Sequence, residues 1–283
     1  MPDKKTGLVL EGGAMRGMFT AGTLDVFLDE DIHFDGAVGV SAGALFGINL
    51  FSRQRKRPLN YSCRFNGDKR YMGVGSLLKT GNYFNTEFAY YTVPFSIDVF
   101  DNETYKASGV SFYAVTTDIE TGKAEYMLIE DVFKDMEIFR ASASMPFVSK
   151  PVEINGRLYL DGGVSDSIPF RWMESMGYEK LVVVLTRDIN YVKKPMNPML
   201  VNMFYKKYPG MKEALLNRHN MYNESLAELS RYEKEGKVFV IRPSVPLTTG
   251  RTEKDPEKLK ECYNIGFKDA GARVSALKEY LKA

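Results

Sequence analysis

Gly39-Val40-Ser41-Ala42-Gly43 follows the apolar pair Ala37-Val38 and precedes the apolar run Ala44–Phe51. This order predicts a buried strand, a sharp turn and a helix. It is the context of a Gly-x-Ser-x-Gly nucleophile elbow, in which glycines let strand and helix approach closely while a strained turn presents the serine. Ser41 is therefore the candidate nucleophile. A chain of this length contains such a pentapeptide by accident roughly one time in ten. Other features of the sequence must therefore show whether Ser41 is a nucleophile.

Composition limits the classes of protein to which the chain can belong. Of its 283 residues, 44% are hydrophobic and 26% are charged, which is typical of a globular protein with a large α/β domain. The net charge of +2 is not the strongly basic balance of nucleic-acid binding, so no nucleic-acid partner is expected. Cys63 and Cys262 fit neither a disulfide framework nor a metal-ligand spacing. We predict no metal and no cofactor.

The sequence carries no predicted targeting or membrane-spanning segment. The apolar run Gly7–Leu10 is too short for the hydrophobic region of a signal peptide. No stretch approaches the ~18 apolar residues that a membrane span requires. We therefore expect a cytoplasmic protein with reduced thiols, whose contact with a membrane is peripheral.

A second glycine-rich turn lies upstream of the elbow. Gly7–Leu10 predicts a buried parallel strand, Glu11–Gly17 a loop and residues 19–27 a helix. Such a loop can present backbone N–H groups to an anion. A dinucleotide fingerprint needs glycine where Ala14 stands, and a Walker loop needs Gly-Lys-Ser/Thr where Arg16-Gly17-Met18 stands, so neither fits well. The remaining interpretations are a site for the oxyanion of acyl transfer and a plain glycine turn.

A carboxylate is predicted at the end of a later strand. Pro151–Leu160 alternates around Asn155-Gly156, a strong hairpin signal, and its second strand runs into Asp161-Gly162-Gly163. The only histidines are His33, expected at the opposite edge of the sheet from the elbow, and His219, expected to be exposed on a charged helix. A Ser-His-Asp triad is therefore disfavoured. Asp161 is either a turn residue or the carboxylate that acts on the serine directly.

The other segments predict more strands and helices around this centre. Strands are predicted at 110–117, 123–129, 180–186 and 238–241, and helices at 131–143, 169–177, 211–235 and 255–281. Residues 52–70 are basic and predict a loop, either solvated or attracted to anionic lipid headgroups or a phosphorylated substrate. The aromatic-rich residues 71–100 either fill the core or cover an acyl pocket. The methionine-rich residues 191–209 either pack in the core or dip into a lipid surface.

Four motifs, in this order, are similar to those of the patatin-like phospholipases. They are Gly12–Gly17, Gly39–Gly43, Arg140–Pro146 and Asp161–Gly163. The resemblance covers roughly residues 6–190. It implies a three-layer α/β/α fold with a mostly parallel central sheet, and a Ser-Asp dyad that cleaves acyl esters of lipids.

The resemblance also implies roles for particular residues. Ser41 would attack the acyl carbonyl and Asp161 would accept its proton. The oxyanion hole would consist of the backbone N–H groups of Gly12, Gly13 and Ala14. Arg16 matches the family's basic position, where it braces the loop or binds an anionic substrate. The family often has a third glycine where Ala14 stands, so a positive φ there would distort the hole, whereas a negative φ would serve as well.

We therefore predict a patatin-like hydrolase domain over residues 6–245 and a C-terminal helical extension over residues 246–283, packed on the core. The predicted function is that of a serine acyl hydrolase that cleaves lipid esters through an acyl-enzyme, of the phospholipase A or lysophospholipase type. Two alternatives stay open. One is a phosphate- or nucleotide-binding α/β protein that uses the glycine loop, and the other is an inactive lipid-binding module that keeps the fold.

Overall fold

The computed structural model of the chain describes residues 4–283, and its centre is an eight-stranded sheet. The strands are β1 Thr6–Leu10, β2 Gly36–Val40, β3 Ser111–Asp118, β4 Ala124–Ile129, β5 Val152–Ile154, β6 Arg157–Asp161, β7 Lys180–Val184 and β8 Val238–Ile241. Their order is β5-β6-β3-β2-β1-β7-β8, and β4 also pairs with β3. The five strands β3, β2, β1, β7 and β8 run parallel, whereas β4, β5 and β6 pair antiparallel. The carboxyl ends of the parallel strands therefore meet at one edge of the sheet.

Helices cover both faces of the sheet. They are α1 Met18–Asp29, α2 Ala42–Phe51, α3 Arg57–Phe65, α4 Val74–Thr80, α5 Asn102–Ala107, α6 Met136–Ser142, α7 Phe170–Ser175, α8 Pro198–Tyr205, α9 Pro209–Lys234, α10 Pro256–Gly271 and α11 Val274–Lys282. Successive side chains of a strand point to opposite faces. Leu8 and Leu10 accordingly pack with α1, α2 and α10, whereas Val9 packs with α7 and α9. The predicted three-layer α/β/α architecture is confirmed.

Helix α10, near the carboxyl end of the chain, packs closely on α1. A Cβ atom at Gly22 would lie 2.1 Å from the carbonyl oxygen of Tyr263, and one at Gly266 would lie 2.0 Å from that of Phe19. Only glycine allows the two backbones to approach this closely. The Tyr263 hydroxyl also donates a hydrogen bond to Asp25 in the interior. The predicted division of the chain at residue 245 stays a prediction.

The basic segment 52–70 is not the predicted loop, because it contains α3. Pro58 lies in the first turn of that helix, where the missing N–H of proline costs no hydrogen bond. Arg57 is buried and forms an ion pair with Asp98 at 2.7 Å. The loop prediction is therefore wrong: a proline within a basic segment does not prevent a helix when it stands in the first turn.

In three other segments, the helices of the structure differ from the predictions. In the predicted helix 131–143 only α6 forms, because the Asp131 side chain accepts hydrogen bonds from the N–H groups of Phe133 and Lys134 and holds a turn. The predicted helix 255–281 is two helices, α10 and α11, and α10 ends at Gly271, a residue of low helix propensity. The segment 191–209, for which no helix was predicted, contains α8. Within residues 4–283, no helix has the length and apolar character needed to cross a bilayer.

Candidate active site

Ser41 occupies a strained turn between β2 and α2. Its φ of 54° and ψ of −120° are unfavourable for a residue with a side chain, at a cost of roughly 1–3 kcal/mol. A Cβ at Gly43 would lie 2.4 Å from the carbonyl oxygen of Leu10, so this position requires glycine. The Ser41 N–H donates to the hydroxyl of Ser142 at 2.9 Å. The predicted strand, turn and helix are therefore confirmed, and the surrounding structure holds the strained serine in place.

Asp161 is the last residue of β6, and the pairing of the strands brings it to the elbow. Val40 pairs with Val115 of β3, and Asp161 pairs with the next residue, Thr116. Ser41 and Asp161 line the same cavity, and both are nearly buried, with exposures of 7% and 6%. The sheet therefore brings together two residues that lie 120 positions apart in the chain.

Burial raises the pKa of the Asp161 carboxyl above its ordinary value. Four neighbours oppose this shift of the pKa: the charge of Arg218, the hydroxyl of Ser41 as a hydrogen-bond partner, the N–H of Gly163 and the charge of Lys193. The Gly163 N–H donates to Asp161 Oδ1 at 2.8 Å. The result is a fixed carboxylate that is more basic than an exposed aspartate and lies against a serine hydroxyl.

The two histidines lie elsewhere. His33 is exposed, and its Nε2 lies 3.2 Å from Oδ2 of Asp31, near the start of β2. His219 on α9 is partly buried rather than exposed as predicted, and its Nδ1 lies 3.0 Å from the carbonyl oxygen of Leu216. Neither histidine is among the described residues that line the cavity of Ser41 and Asp161.

The glycine loop lies directly against Ser41. A Cβ at Gly12 would lie 3.2 Å from the Cβ of Ser41. Among the described residues, no acceptor is found for the N–H groups of Gly12, Gly13 and Ala14. The sequence left open whether the φ of Ala14 is positive or negative. It is positive, at 49°. Its N–H nevertheless stays unpaired beside the serine, a position from which it could bind an oxyanion.

An apolar cavity opens on one side of Ser41. We define it by lining residues from the loop, α2, the aromatic-rich segment and α6: Met15, Leu45, Phe84, Tyr90, Met136 and Phe139. Its one charged lining residue, Arg57, is neutralised by its ion pair with Asp98. The aromatic segment 71–100 therefore covers a cavity beside the serine, one of the two interpretations that the sequence allowed.

A second cavity, which also contains Asp161, opens on the other side of Ser41. We call it the cationic cavity because five basic residues line it: Arg16, Arg187, Lys193, Arg218 and Arg251. Its two acidic residues are Asp161 and Glu11. Glu11 is buried and accepts hydrogen bonds from the Thr186 N–H at 2.6 Å and from the Tyr222 hydroxyl at 2.6 Å. Ser41 thus lies between an apolar cavity and a strongly positive one.

Comparison with known proteins identifies the family. The sequence model of the patatin-like phospholipases matches residues 8–172, more than half of the chain. The chain belongs to the patatin-like phospholipase family. A second family model, described as a domain of unknown function, DUF6363, matches residues 208–282, which include α9, α10 and α11.

Individual relatives of this patatin-like chain are similar at modest identity. The uncharacterized protein YjjU of Escherichia coli K12 is 28% identical, over 93% of this chain and 75% of its own length. The lysophospholipase nte1 of Emericella nidulans is 27% identical over 64% of this chain. The probable lipid hydrolase 463L of Invertebrate iridescent virus 6 is 26% identical, over 57% of this chain and 61% of its own. The match spans only 12% of the length of the fungal lysophospholipase.

The patatin-like site contains every predicted residue and several that were not predicted. Ser41, Asp161, Arg16 and the three loop residues line the cationic cavity together. The other four basic residues of that cavity were not predicted from the sequence. Neither was the Ser142 hydroxyl, which accepts a hydrogen bond from the Ser41 N–H. Arg187 could have been found, because it follows β7 closely at the sheet edge where α/β sites lie. Lys193, Arg218 and Arg251 lie on a loop, a helix and a linker with no local signal.

Proposed function

We propose that the chain is a serine acyl hydrolase that cleaves lipid ester bonds, of the phospholipase A or lysophospholipase type. The observation that carries the proposal is the contact of a strained, buried Ser41 with a buried Asp161 beside three unpaired backbone N–H groups. The family and the names of two relatives, a lysophospholipase and a probable lipid hydrolase, agree with it. The two cavities supply the apolar and polar surroundings that an amphiphilic ester needs.

In the proposed mechanism, the hydroxyl oxygen of Ser41 attacks the acyl carbonyl while its proton passes to Asp161. The tetrahedral oxyanion accepts hydrogen bonds from the N–H groups of Gly12, Gly13 and Ala14. When the intermediate collapses, the ester bond breaks and the leaving alcohol takes the proton from Asp161. Water then gives a proton to Asp161 and attacks the acyl-enzyme. When this second tetrahedral intermediate collapses, the fatty acid leaves and Asp161 returns the proton to the Ser41 oxygen.

The electrostatics of the dyad support this role for Asp161. A general base works best when its pKa approaches the working pH, and burial raises the pKa of this carboxyl. The charge of Arg218 limits this rise of the pKa. No histidine is needed in such an arrangement.

The apolar cavity is the proposed site of the acyl chain. It begins at Ser41 and passes between α2 and the aromatic segment, where Leu45, Phe84 and Phe139 offer apolar surface. Apolar chains gain about 0.8 kcal/mol for each buried CH₂ group. The leaving alcohol then lies on the side of the cationic cavity.

Peripheral contact with a membrane is a further part of the proposal. Helix α8 carries exposed apolar side chains: Met199 is 77% exposed, Met203 66% and Phe204 54%. The ring of Phe204 contacts Phe147, which lines the cationic cavity. An apolar patch beside the entrance to the site is suited to a lipid surface, from which the substrate would enter.

The experiment is hydrolysis of a lipid panel followed by mass spectrometry of the products, with the wild type, Ser41→Ala and Asp161→Asn. We expect each variant to fold and to lose at least ~100-fold in kcat/KM. Ser62→Ala and Asp166→Asn are matched controls, because Ser62 is buried, Asp166 is partly buried and neither residue lines either cavity. Retained hydrolysis in Ser41→Ala would refute the mechanism. Absence of hydrolysis and of fluorophosphonate labelling in the wild type would favour the inactive lipid-binding module.

A further inference from the structure

The basic residues of the cationic cavity come from distant parts of the chain. Arg16 lies in the glycine loop, Arg187 follows β7, Lys193 lies in the loop after it, Arg218 lies on α9, and Arg251 precedes α10. They surround the cavity that contains Ser41 and Asp161. Like charges repel, so an arrangement of five cations around one space needs a compensating anion.

The protein itself does not supply enough negative charge. Among residues 4–283, none of the five has a carboxylate within 4.0 Å, although other enclosed arginines do: Arg57 pairs with Asp98 and Arg242 with Glu233. The oxygens of Glu11 are occupied by Thr186 and Tyr222. The Nε of Arg16 is buried without a partner among the described residues. The cavity is therefore positively charged, because five basic residues and only two carboxylates line it.

This positive charge has a measurable consequence in the free protein. Burial and the charges of Arg218, Arg251 and Arg187 lower the pKa of Lys193 to about 7, although Glu11 opposes the shift. Burial and two neighbouring arginines likewise lower the pKa of Arg16 to about 10. An anion in the cavity would oppose both shifts of the pKa.

We propose that the cationic cavity binds a phosphate monoester carried by the leaving alcohol, so that the preferred substrates are acyl esters of a phosphorylated alcohol. The inference rests on the proposed hydrolase function and names its substrate class. Guanidinium groups bind phosphate oxygens in a bidentate manner, and three or more are available around the space next to Ser41. The acyl chain occupies the apolar cavity, so the phosphate faces the cations.

The same cavity is unsuited to a phosphocholine headgroup. Quaternary ammonium groups bind to the faces of aromatic rings. The two tyrosine rings of the cavity are already covered by cations: Arg187 lies 4.1 Å from the centre of the Tyr191 ring, and Lys193 lies 4.0 Å from that of Tyr222. A second positive charge would be repelled from both rings.

The test compares three substrates with one oleoyl chain, presented in neutral detergent micelles: lysophosphatidic acid, lysophosphatidylcholine and monooleoylglycerol. We expect the wild type to have a kcat/KM for lysophosphatidic acid at least tenfold above that for the other two. Lys193→Met and Arg251→Gln should each lower the ratio of lysophosphatidic acid to monooleoylglycerol hydrolysis at least fivefold. The matched control is Lys194→Met, an exposed neighbour outside the cavity, which should leave the ratio unchanged.

Binding to the Ser41→Ala protein separates this inference from the hydrolase function. Calorimetry should show lysophosphatidic acid bound at least tenfold more tightly than lysophosphatidylcholine, and Lys193→Met should remove the difference. Equal affinities would overturn the inference even if the wild type hydrolyses lipids, and the expected difference would uphold the phosphate site even if it does not. Inorganic phosphate that binds as tightly as lysophosphatidic acid would identify a soluble phosphate as the ligand, and this would also overturn the lipid assignment.

Discussion

Ser41 and Asp161 lie beside the same edge of β3, where β2 and β6 both end. Val40 pairs with Val115, whereas Asp161 pairs with Thr116. Strand β4 occupies one edge of β3 as far as Thr117. Strand β6 can therefore pair with β3 only along the opposite edge, beyond the end of β2. The relative position of the two side chains therefore depends on the register of the sheet, which is far more rigid than a loop.

The close approach of β1 and α2 at Gly43 gives the first prediction. In Gly43→Ala the new methyl would lie 2.4 Å from the backbone oxygen of Leu10, which cannot rotate away. We expect a loss of about 1–3 kcal/mol in the free energy of unfolding and a fall of about 100-fold in kcat/KM as Ser41 is displaced. Urea unfolding and ester hydrolysis measure both. Gly75→Ala, whose methyl would contact nothing within 4 Å, is the control, and equal behaviour of the two variants would contradict the prediction.

The N–H of Ala14 gives the second prediction. Ala14→Pro removes this donor and forces φ from 49° to about −65°. We expect kcat to fall by about 10²–10³-fold, the usual effect of losing one oxyanion donor. Ala14→Gly keeps the N–H and accepts a positive φ, so it should retain activity. A folded Ala14→Pro enzyme with nearly full activity would exclude this N–H from the oxyanion hole.

The third prediction concerns the acid side of the pH profile. Hydrolysis needs Asp161 ionised, and burial raises the pKa of this carboxyl. As the pH falls, activity should therefore be lost at a higher pH than the ordinary aspartate pKa of about 3.9. The measurement is kcat/KM for uncharged monooleoylglycerol, whose own charge does not change. An acid limb at or below the ordinary value would show that Asp161 is not the base.

On the alkaline side, Lys193 should affect only the phosphate substrate. With a pKa of about 7, its ammonium group loses its charge as the pH rises from 6 to 8.5, so its attraction for an anion weakens. We expect kcat/KM for lysophosphatidic acid, relative to monooleoylglycerol, to fall more in the wild type than in Lys193→Met. The phosphate of the substrate also changes its charge in this pH range, but it does so equally for both proteins. The comparison with the variant therefore removes this effect. Parallel profiles in both proteins would contradict the prediction.

The strands and turns around the site could be predicted because their signals are local. The glycines beside Ser41 and the Asn155-Gly156 turn before Asp161 specify backbone geometry within a few residues, and both were identified correctly. The cationic cavity could not be predicted, since Arg16, Arg218 and Arg251 meet only when the sheet and α9 are assembled. Balanced net charge conceals such a cluster, because composition sums over the whole surface.

The exposed methionines of α8 give a further prediction. Moving a methionine side chain into an apolar medium is favourable by about 1.5 kcal/mol or more. The double variant Met199→Ser, Met203→Ser should therefore bind vesicles at least tenfold more weakly in a sedimentation assay, and its activity on vesicles should fall relative to that on a soluble ester. Met176→Ser is the control, because Met176 is also exposed but lies at the end of α7. Equal vesicle binding by the wild type and the double variant would exclude α8 as the membrane contact.

The crossing of α1 and α10 gives the last prediction. In Gly266→Ala the new methyl would lie 2.0 Å from the carbonyl oxygen of Phe19, so the helices must separate. We expect a loss of about 3 kcal/mol in the free energy of unfolding. The matched control is Gly271→Ala at the end of the same helix, where nothing lies within 4 Å and alanine should be neutral or stabilising by up to about 1 kcal/mol.

The separation of the two helices should also reach the active site. Helix α1 begins directly after the glycine loop, and the Cys262 thiol of α10 contacts the carbonyl oxygen of Arg16 at 3.7 Å. Labelling of Ser41 by a fluorophosphonate should therefore slow in Gly266→Ala under conditions where the protein is still folded. If Gly266→Ala unfolds at the same urea concentration as Gly271→Ala, α10 is not packed on α1 in solution. If only the labelling rate is unchanged, the glycine loop keeps its position without support from α10.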